Sequence, residues 1–297
     1  CDPEKIEIIL VDDQSTDLTV DLARACGLTN LKIVSSAAEI HTCRKKNALH
    51  HGILASLGSI LFTTDADCRP DPNWILDTVQ CFTPGVGMVI GHAPLVGGNG
   101  PRSALLELQS LSVAALSAGS AGIGFPLTCS GRNLAYLREA YDTVHGFDGV
   151  GHLVGGDDVY LMGKISRTPY RIAFNLSPLA RVPSAIHATQ QVTRQLRYQS
   201  KTLSSGPSVL LPALAVYIFH AILMVLPFWG LWAADAFKPI GICLLVKVLV
   251  DSIFLFAAAH RLQWIRRLAW IPLFEVLLIP YVVVVCALGT LLPTKWK

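Results

Sequence analysis

The sequence predicts an α/β protein with a doubly wound, mostly parallel sheet, followed by C-terminal transmembrane helices. Three observations carry this prediction. Short apolar runs alternate with helical patterns over residues 1–205, joined by short loops, as in stacked βαβ units. Pairs of aspartates stand where those runs end or where helices begin: Asp12 and Asp13, Asp65 and Asp67, Asp157 and Asp158. Beyond Gly206-Pro207 the pattern changes to long apolar stretches, so the expected division is 1–205 for the α/β domain and 206–297 for a membrane domain.

The balance of residues agrees with that division. Of 297 residues, 52% are hydrophobic and 15% charged. The mean hydropathy of +0.48 is too high for a wholly soluble globule. The net charge of +3 is small, and no basic run is interleaved with aromatics, which argues against nucleic acid as a partner. Eight cysteines form no Cys-x-x-Cys pair and read as reduced, partly buried residues. The chain starts at Cys1, five residues before a strong strand, and is expected to be an excerpt.

Taken in order, residues 6–11 form an apolar strand that stops at Asp12-Asp13. Ser15, Thr16 and Asp17 offer capping groups for a helix over 17–26, with Leu18, Leu22 and Ala25 on one face. A second strand covers 31–34. A helix over 45–57 puts Ala48, Leu49, Gly52, Ile53 and Leu57 on its apolar side. The next strand, 60–64, delivers Asp65 and Asp67 to its carboxyl end, where ligands bind in open α/β sheets. Pro70 to Pro72 open a helix over 73–81, and 86–90 is again a strand. A helix over 102–120 and a loop over 128–133 lead into another strand, then a short helix over 138–144. Gly155-Gly156-Asp157-Asp158 precede a helix carrying Val159, Leu161, Met162 and Ile165. Plain helix capping also accounts for two Asp at that place.

Three apolar stretches follow, 209–234, 240–259 and 270–292, each long enough to cross a bilayer core of about 30 Å. Lys247 and Asp251 stand four apart, so they pair on one helix face at reduced cost in lipid. The basic loop from His260 to Arg267 predicts a cytoplasmic side for itself and for the α/β domain. The third stretch, with Pro272, Glu275 and Pro280, either spans or re-enters, because Lys295 and Lys297 follow it.

Four motifs stand in a fixed order: Val11-Asp12-Asp13-Gln14-Ser15-Thr16-Asp17, Asp65-Ala66-Asp67, Gly156-Asp157-Asp158 and Arg194-Gln195-Leu196-Arg197-Tyr198. Together they resemble the inverting family 2 glycosyltransferases of the GT-A fold, in their membrane-anchored branch. The resemblance covers about 1–205. It implies transfer of a sugar from a nucleoside-diphosphate-sugar donor to a lipid, lipid-linked or glycan acceptor, by a multi-pass protein such as those of bacterial plasma membranes. It also implies Mg²⁺ or Mn²⁺ as cofactor.

The chemistry needs these residue types. A divalent cation stabilises charge on the leaving diphosphate, and the attacking hydroxyl needs a positioned carboxylate base. By resemblance, Asp12 and Asp13 read the nucleoside, Asp65 meets the donor nucleotide, and Asp67 with Asp65 holds the metal. Asp158 matches the base, with Asp157 beside it. Arg44-Lys45-Lys46-Asn47-Ala48-Leu49 resembles the segment beside the donor phosphates, which points to Lys45 and Lys46 as donor ligands. Ser130-Gly131-Arg132-Asn133 lies where the family builds its acceptor side, which points to Asn133.

Two departures stand out. In Arg194-Gln195-Leu196-Arg197-Tyr198 the glutamine is shifted by one from the family's Gln-x-x-Arg-Trp. Arg197 keeps the cation for the diphosphate, and Tyr198 keeps a ring for the acceptor. The family's first strand is expected to precede Cys1, which would leave the donor pocket incomplete here. The rival readings are a nucleotidyltransferase on a related sheet and a catalytically silent membrane scaffold that binds nucleotide-sugars.

Overall fold

The computed structural model describes residues 3–36, 38–186, 207–230, 235 and 237–291. Arg197 and Tyr198, the 205/206 boundary, and Lys295 and Lys297 lie outside the described residues. Two compact units emerge, Cys1–Ala93 with Ser117–Val182, and Pro94–Leu116 with Pro183–Lys297.

In the first unit, strand β1 (Ile8–Asp12) pairs in parallel with β2 (Leu31–Ser35), Ile8 opposite Leu31 and Asp12 opposite Ser35. Helix α1 (Thr19–Ala25) connects them, and α2 (Arg44–Ala55) follows. A Cβ on Gly52 would lie 2.8 Å from Val11 Cγ2, so the missing side chain is what lets α2 approach β1 this closely. Two expectations are corrected. Helix α1 begins at Thr19 and buries no residue; Leu18 and Leu22 are exposed, so its apolar stripe meets no core. Leu57 does not share the apolar side of α2, because the chain turns extended at Ser56 and leaves Leu57 in the open.

The remaining elements, in chain order, are β3 (Ile60–Thr63), α3 (Trp74–Val79), β4 (Val86–Gly91), β5 (Leu95–Val96), α4 (Pro101–Gly122), β6 (Leu134–Leu137), α5 (Arg138–Thr143), α6 (Asp157–Ile165), β7 (Arg171–Asn175) and β8 (Ser184–Ala185). A four-stranded sheet has the order β3-β6-β4-β7. Pairings β1–β2, β4–β7 and β5–β8 are parallel, so the sheets are mostly parallel as expected. Strand β6 is the exception, antiparallel to both β3 and β4. All six residues of β4 are buried, as a strand covered on both faces requires. Met88, Ile90, Leu134 and Tyr136 from the sheet meet Phe147, Leu161, Met162 and Ile165 in one core. Each such side chain contributes about 1.5–3 kcal/mol when fully buried.

The second unit holds β5, β8, the first part of α4, and three long helices: α7 (Pro207–Gly230), α8 (Phe237–Arg261) and α9 (Ile271–Leu291). Four helices in the described chain are long and apolar enough to cross a membrane, the three just named and α4. The sequence pattern separated only the first three. Helix α9 is continuous through Pro280, and its 21 residues extend about 31 Å at 1.5 Å per residue. Lys247 meets Asp251 at 3.0 Å as expected, and Glu275 of α9 also accepts a hydrogen bond from the same ammonium.

Candidate active site

Strand β1 ends in Asp12, and the turn after it is drawn tight. Asp12 Oδ1 accepts the N–H of Ser15 at 3.0 Å, with Gln14 between them in the left-handed region (φ 61°). The Ser15 hydroxyl and N–H hold the Asp12 carboxyl below the usual range. Asp13 accepts from the Ser36 hydroxyl at 2.6 Å and meets Arg44 Nε at 2.9 Å. Arg44 also donates to the Asp13 carbonyl at 2.8 Å. The first turn of α2 is thereby tied to the end of β1.

One residue further along α2, the Lys45 ammonium stands 3.2 Å from Asp65 Oδ1 and 3.4 Å from Asp157 Oδ2. The carboxyl end of β3 and the start of α6 thus meet at one cation. Burial alone would make that ammonium a weaker base, but Asp157, Asp65 and Asp158 together outweigh it and hold the charge firmly. Asp67, two residues past Asp65, is exposed.

Helix α6 starts from two glycines with positive φ, Gly155 (68°) and Gly156 (64°), a conformation that disfavours side chains. This turn carries Asp157 inward and sets Asp158 against the loop before β6. Asp158 Oδ2 accepts the Gly131 N–H and Oδ1 the Val159 N–H, both at 2.8 Å. A Cβ on Gly131 would stand 3.4 Å from Asp157 Oδ2 and 3.6 Å from Asp158 Oδ2, so this loop lies directly over both carboxylates. Burial, then the charge of Asp157, raises the Asp158 carboxyl above its ordinary value, against the pull of Lys45 and the two N–H bonds. Burial also raises the thiol of the neighbouring Cys129, with Asp158 and Asp157 adding to the effect, so it stays protonated.

Two sequence-predicted ligands are corrected. Lys46 does not face a donor site. Its ammonium is fully buried and donates to the carbonyls of Val150 (2.9 Å), Leu153 (2.5 Å) and Gly155 (2.8 Å), which anchors the segment leading into α6. Asn133 is likewise no acceptor contact. It is buried, donates to the carbonyls of His92 and Ala180 (2.9 Å each), and accepts from Trp74 Nε1 at 2.8 Å. The structure adds two residues to which the sequence assigned no role, Arg44 on Asp13 and the Gly131 N–H on Asp158. Their signals were present, a cation opening α2 and a glycine in a polar loop, but neither names its partner.

No group of three His, Cys, Asp or Glu side chains able to hold a metal occurs among the described residues. Hard cations such as Mg²⁺ are often held by one or two carboxylates completed by substrate phosphates. The oxygen donors of Asp65 and Asp67 fit that class, although Lys45 shares Asp65.

Residues 2–144 match the family described as Glycosyl transferase family 2. No curated protein matches the chain in sequence. Among solved structures it is similar to GalNAc-T7 with UDP, GalNAc and Mn²⁺, at 18% identity and a TM-score of 0.43, over 61% of this chain and 38% of that one. It is also similar to S. aureus TarS 1–349, at 15% identity and a TM-score of 0.45, over 96% of this chain and 82% of that one. A second structure of S. aureus TarS gives 15% identity and 0.45 over 97% and 49%. The chain therefore spans well under half the length of the GalNAc-T7 chain it matches. The sequence match, over a little under half of the chain, is therefore a likeness of residues 2–144 to glycosyltransferases of family 2.

Proposed function

We propose that the protein transfers a sugar from a nucleoside-diphosphate-sugar to an acceptor hydroxyl in one inverting displacement, with Asp158 as the base. The observation that carries this reading is the junction at Lys45, which brings the Asp65 carboxylate of β3 and the Asp157 carboxylate of α6 to one cation, with Asp158 next in chain. Donor-side and acceptor-side carboxylates are then adjacent, as a single displacement requires. Asp158 takes the acceptor proton, and the raised basicity that burial gives it favours that step. The Gly131 N–H holds the carboxylate in place. Asp12 and Asp13 bind the nucleoside, and Lys45 offers its charge to the diphosphate. Asp67, with Asp65, would hold Mg²⁺ or Mn²⁺, which supplies charge stabilisation to the leaving diphosphate when bound.

In this reading the acceptor is a lipid, a lipid-linked sugar or a glycan at a membrane crossed by α7, α8 and α9, with the family 2 domain on the cytoplasmic side. The glycosyl transfer is tested by incubating membranes that hold the protein with a panel of nucleotide-sugars and measuring released nucleoside diphosphate. With the active donor, Asp158→Asn should lose about 10²–10⁴ of turnover, while donor affinity by calorimetry stays nearly unchanged. Full activity in Asp158→Asn would mean that the aspartate only caps α6. The absence of release from every donor in the panel would leave the silent scaffold as the better reading.

A further inference from the structure

Three consecutive cations open α2, and one of them is held differently from its neighbours. Arg44 is tied to Asp13 through both the carboxylate and the carbonyl of that residue. Lys46 is buried on three carbonyls. The polar partners of Lys45 are carboxylates, Asp65 at 3.2 Å and Asp157 at 3.4 Å.

A carboxylate open to solvent can trade one cation for another, and this one is open. The Lys45 and Asp65 side chains are each 34% exposed, against 9% for Asp157. The backbone beneath Lys45 is fixed, because Arg44 ties down the first turn of α2 and Gly52 lets the helix lie against β1. What can move is the side chain, a flexible four-carbon stem ending in three donors.

Asp65 therefore stands between two possible cations. With the ammonium at Oδ1, a divalent ion bound to the same carboxylate at about 2.1 Å would sit beside a like charge and be repelled. A diphosphate reverses the balance. It gives the ammonium a strongly charged partner, and it brings the further oxygens that complete the shell of a hard cation.

We propose that Lys45 is a place-holding cation: in the empty site its ammonium occupies the seat at Asp65, and only a diphosphate that draws it away opens that carboxylate to Mg²⁺ or Mn²⁺. The metal alone is refused, and metal and diphosphate bind together. This inference rests on the reading of Asp65 and Asp67 as the metal carboxylates of a sugar transfer, and its test separates the two.

The full chain in detergent would be titrated with Mn²⁺ alone, with the free ion followed by its electron spin resonance. The parent should take up Mn²⁺ weakly, and Lys45→Met should bind it at least about tenfold tighter, since the competing charge is gone. Adding Asp65→Asn to Lys45→Met should abolish the gain. Because Lys45→Met strands the buried Asp157, the comparison is repeated with Asp157→Asn alone and Asp157→Asn with Lys45→Met, where no buried carboxylate is left uncompensated. Equal Mn²⁺ affinity with and without Lys45 overturns the proposal, as does a gain that survives Asp65→Asn. Inorganic pyrophosphate, whose own hold on Mn²⁺ is measured without protein, should tighten Mn²⁺ uptake strongly in the parent and about tenfold less without Lys45. The same tightening in both would also overturn the exchange. Nucleoside diphosphate released from the donor panel reports on the transfer separately. Release by a parent whose Mn²⁺ uptake ignores Lys45 removes the exchange alone; uptake that responds to Lys45, with no release from any donor, removes the transfer alone.

Discussion

Lys45 and Lys46 are neighbours in sequence and opposites in circumstance. One helical step turns the first toward the carboxylates Asp65 and Asp157 and the second into the protein, onto three carbonyls. Lys46→Met should lower the melting temperature, because each carbonyl left unpaired in the interior costs about 1–3 kcal/mol. Lys45→Met should also melt lower, because it strands the buried Asp157 carboxylate, but it alone should lose turnover and donor affinity in the folded protein. A thermal scan and a turnover assay on both variants check the pair, and the reverse pattern would exchange their roles. Nothing local told the two lysines apart. What separates them is the segment ending at Gly155, more than a hundred positions downstream. Asn133 misled for the same reason, since its partners His92, Ala180 and Trp74 come from distant segments. Asp158 carries a pH prediction of its own. Burial first, then Asp157, makes it take up a proton at a higher pH than an ordinary carboxylate. As pH falls, kcat/KM should therefore decline above the usual carboxylate range. Asp157→Asn removes the like charge and should shift that decline to lower pH; a shift upward in the pH profile would sink the assignment of Asp158 as base.

Elements were more legible than side-chain partners. Strands β1 and β3 could be read because an apolar run ending in carboxylates marks both a strand and its edge. Helix α1 shows the limit: periodicity says which residues share a face, not whether anything covers it, and here nothing in the described chain buries Leu18 or Leu22. The pair Lys247 and Asp251 was readable from spacing alone, whereas Glu275 enters from another helix and was not. That third member makes the cluster a tie between α8 and α9. Lys247→Met should destabilise the detergent-solubilised protein by about 3–5 kcal/mol, since it strands a buried carboxylate. Combining it with Asp251→Asn and Glu275→Gln should recover most of the loss in a melting curve. A triple variant as unstable as the single one would locate the damage in packing instead of charge.

At the scale of the whole chain, the proposed sidedness rests on the basic loop between α8 and α9. A reporter fused after Arg267 should read cytoplasmic and one fused at Asp235 external; the same reading at both positions would remove the two-crossing arrangement. The position of β6 has a further consequence, for the order in which the molecule can be made. Strands β3 and β4 are synthesised early but never touch each other; the gap between them is filled by Leu134–Leu137. A nascent chain emerging from the ribosome therefore cannot close its four-stranded sheet until α4 has been made and the polypeptide has doubled back. Such long-range pairing folds slowly, and until it is complete the edges of β3 and β4 stand open to chaperones and to aggregation. If α4 reaches a bilayer at that moment, the membrane becomes the first surface the unfinished chain assembles against.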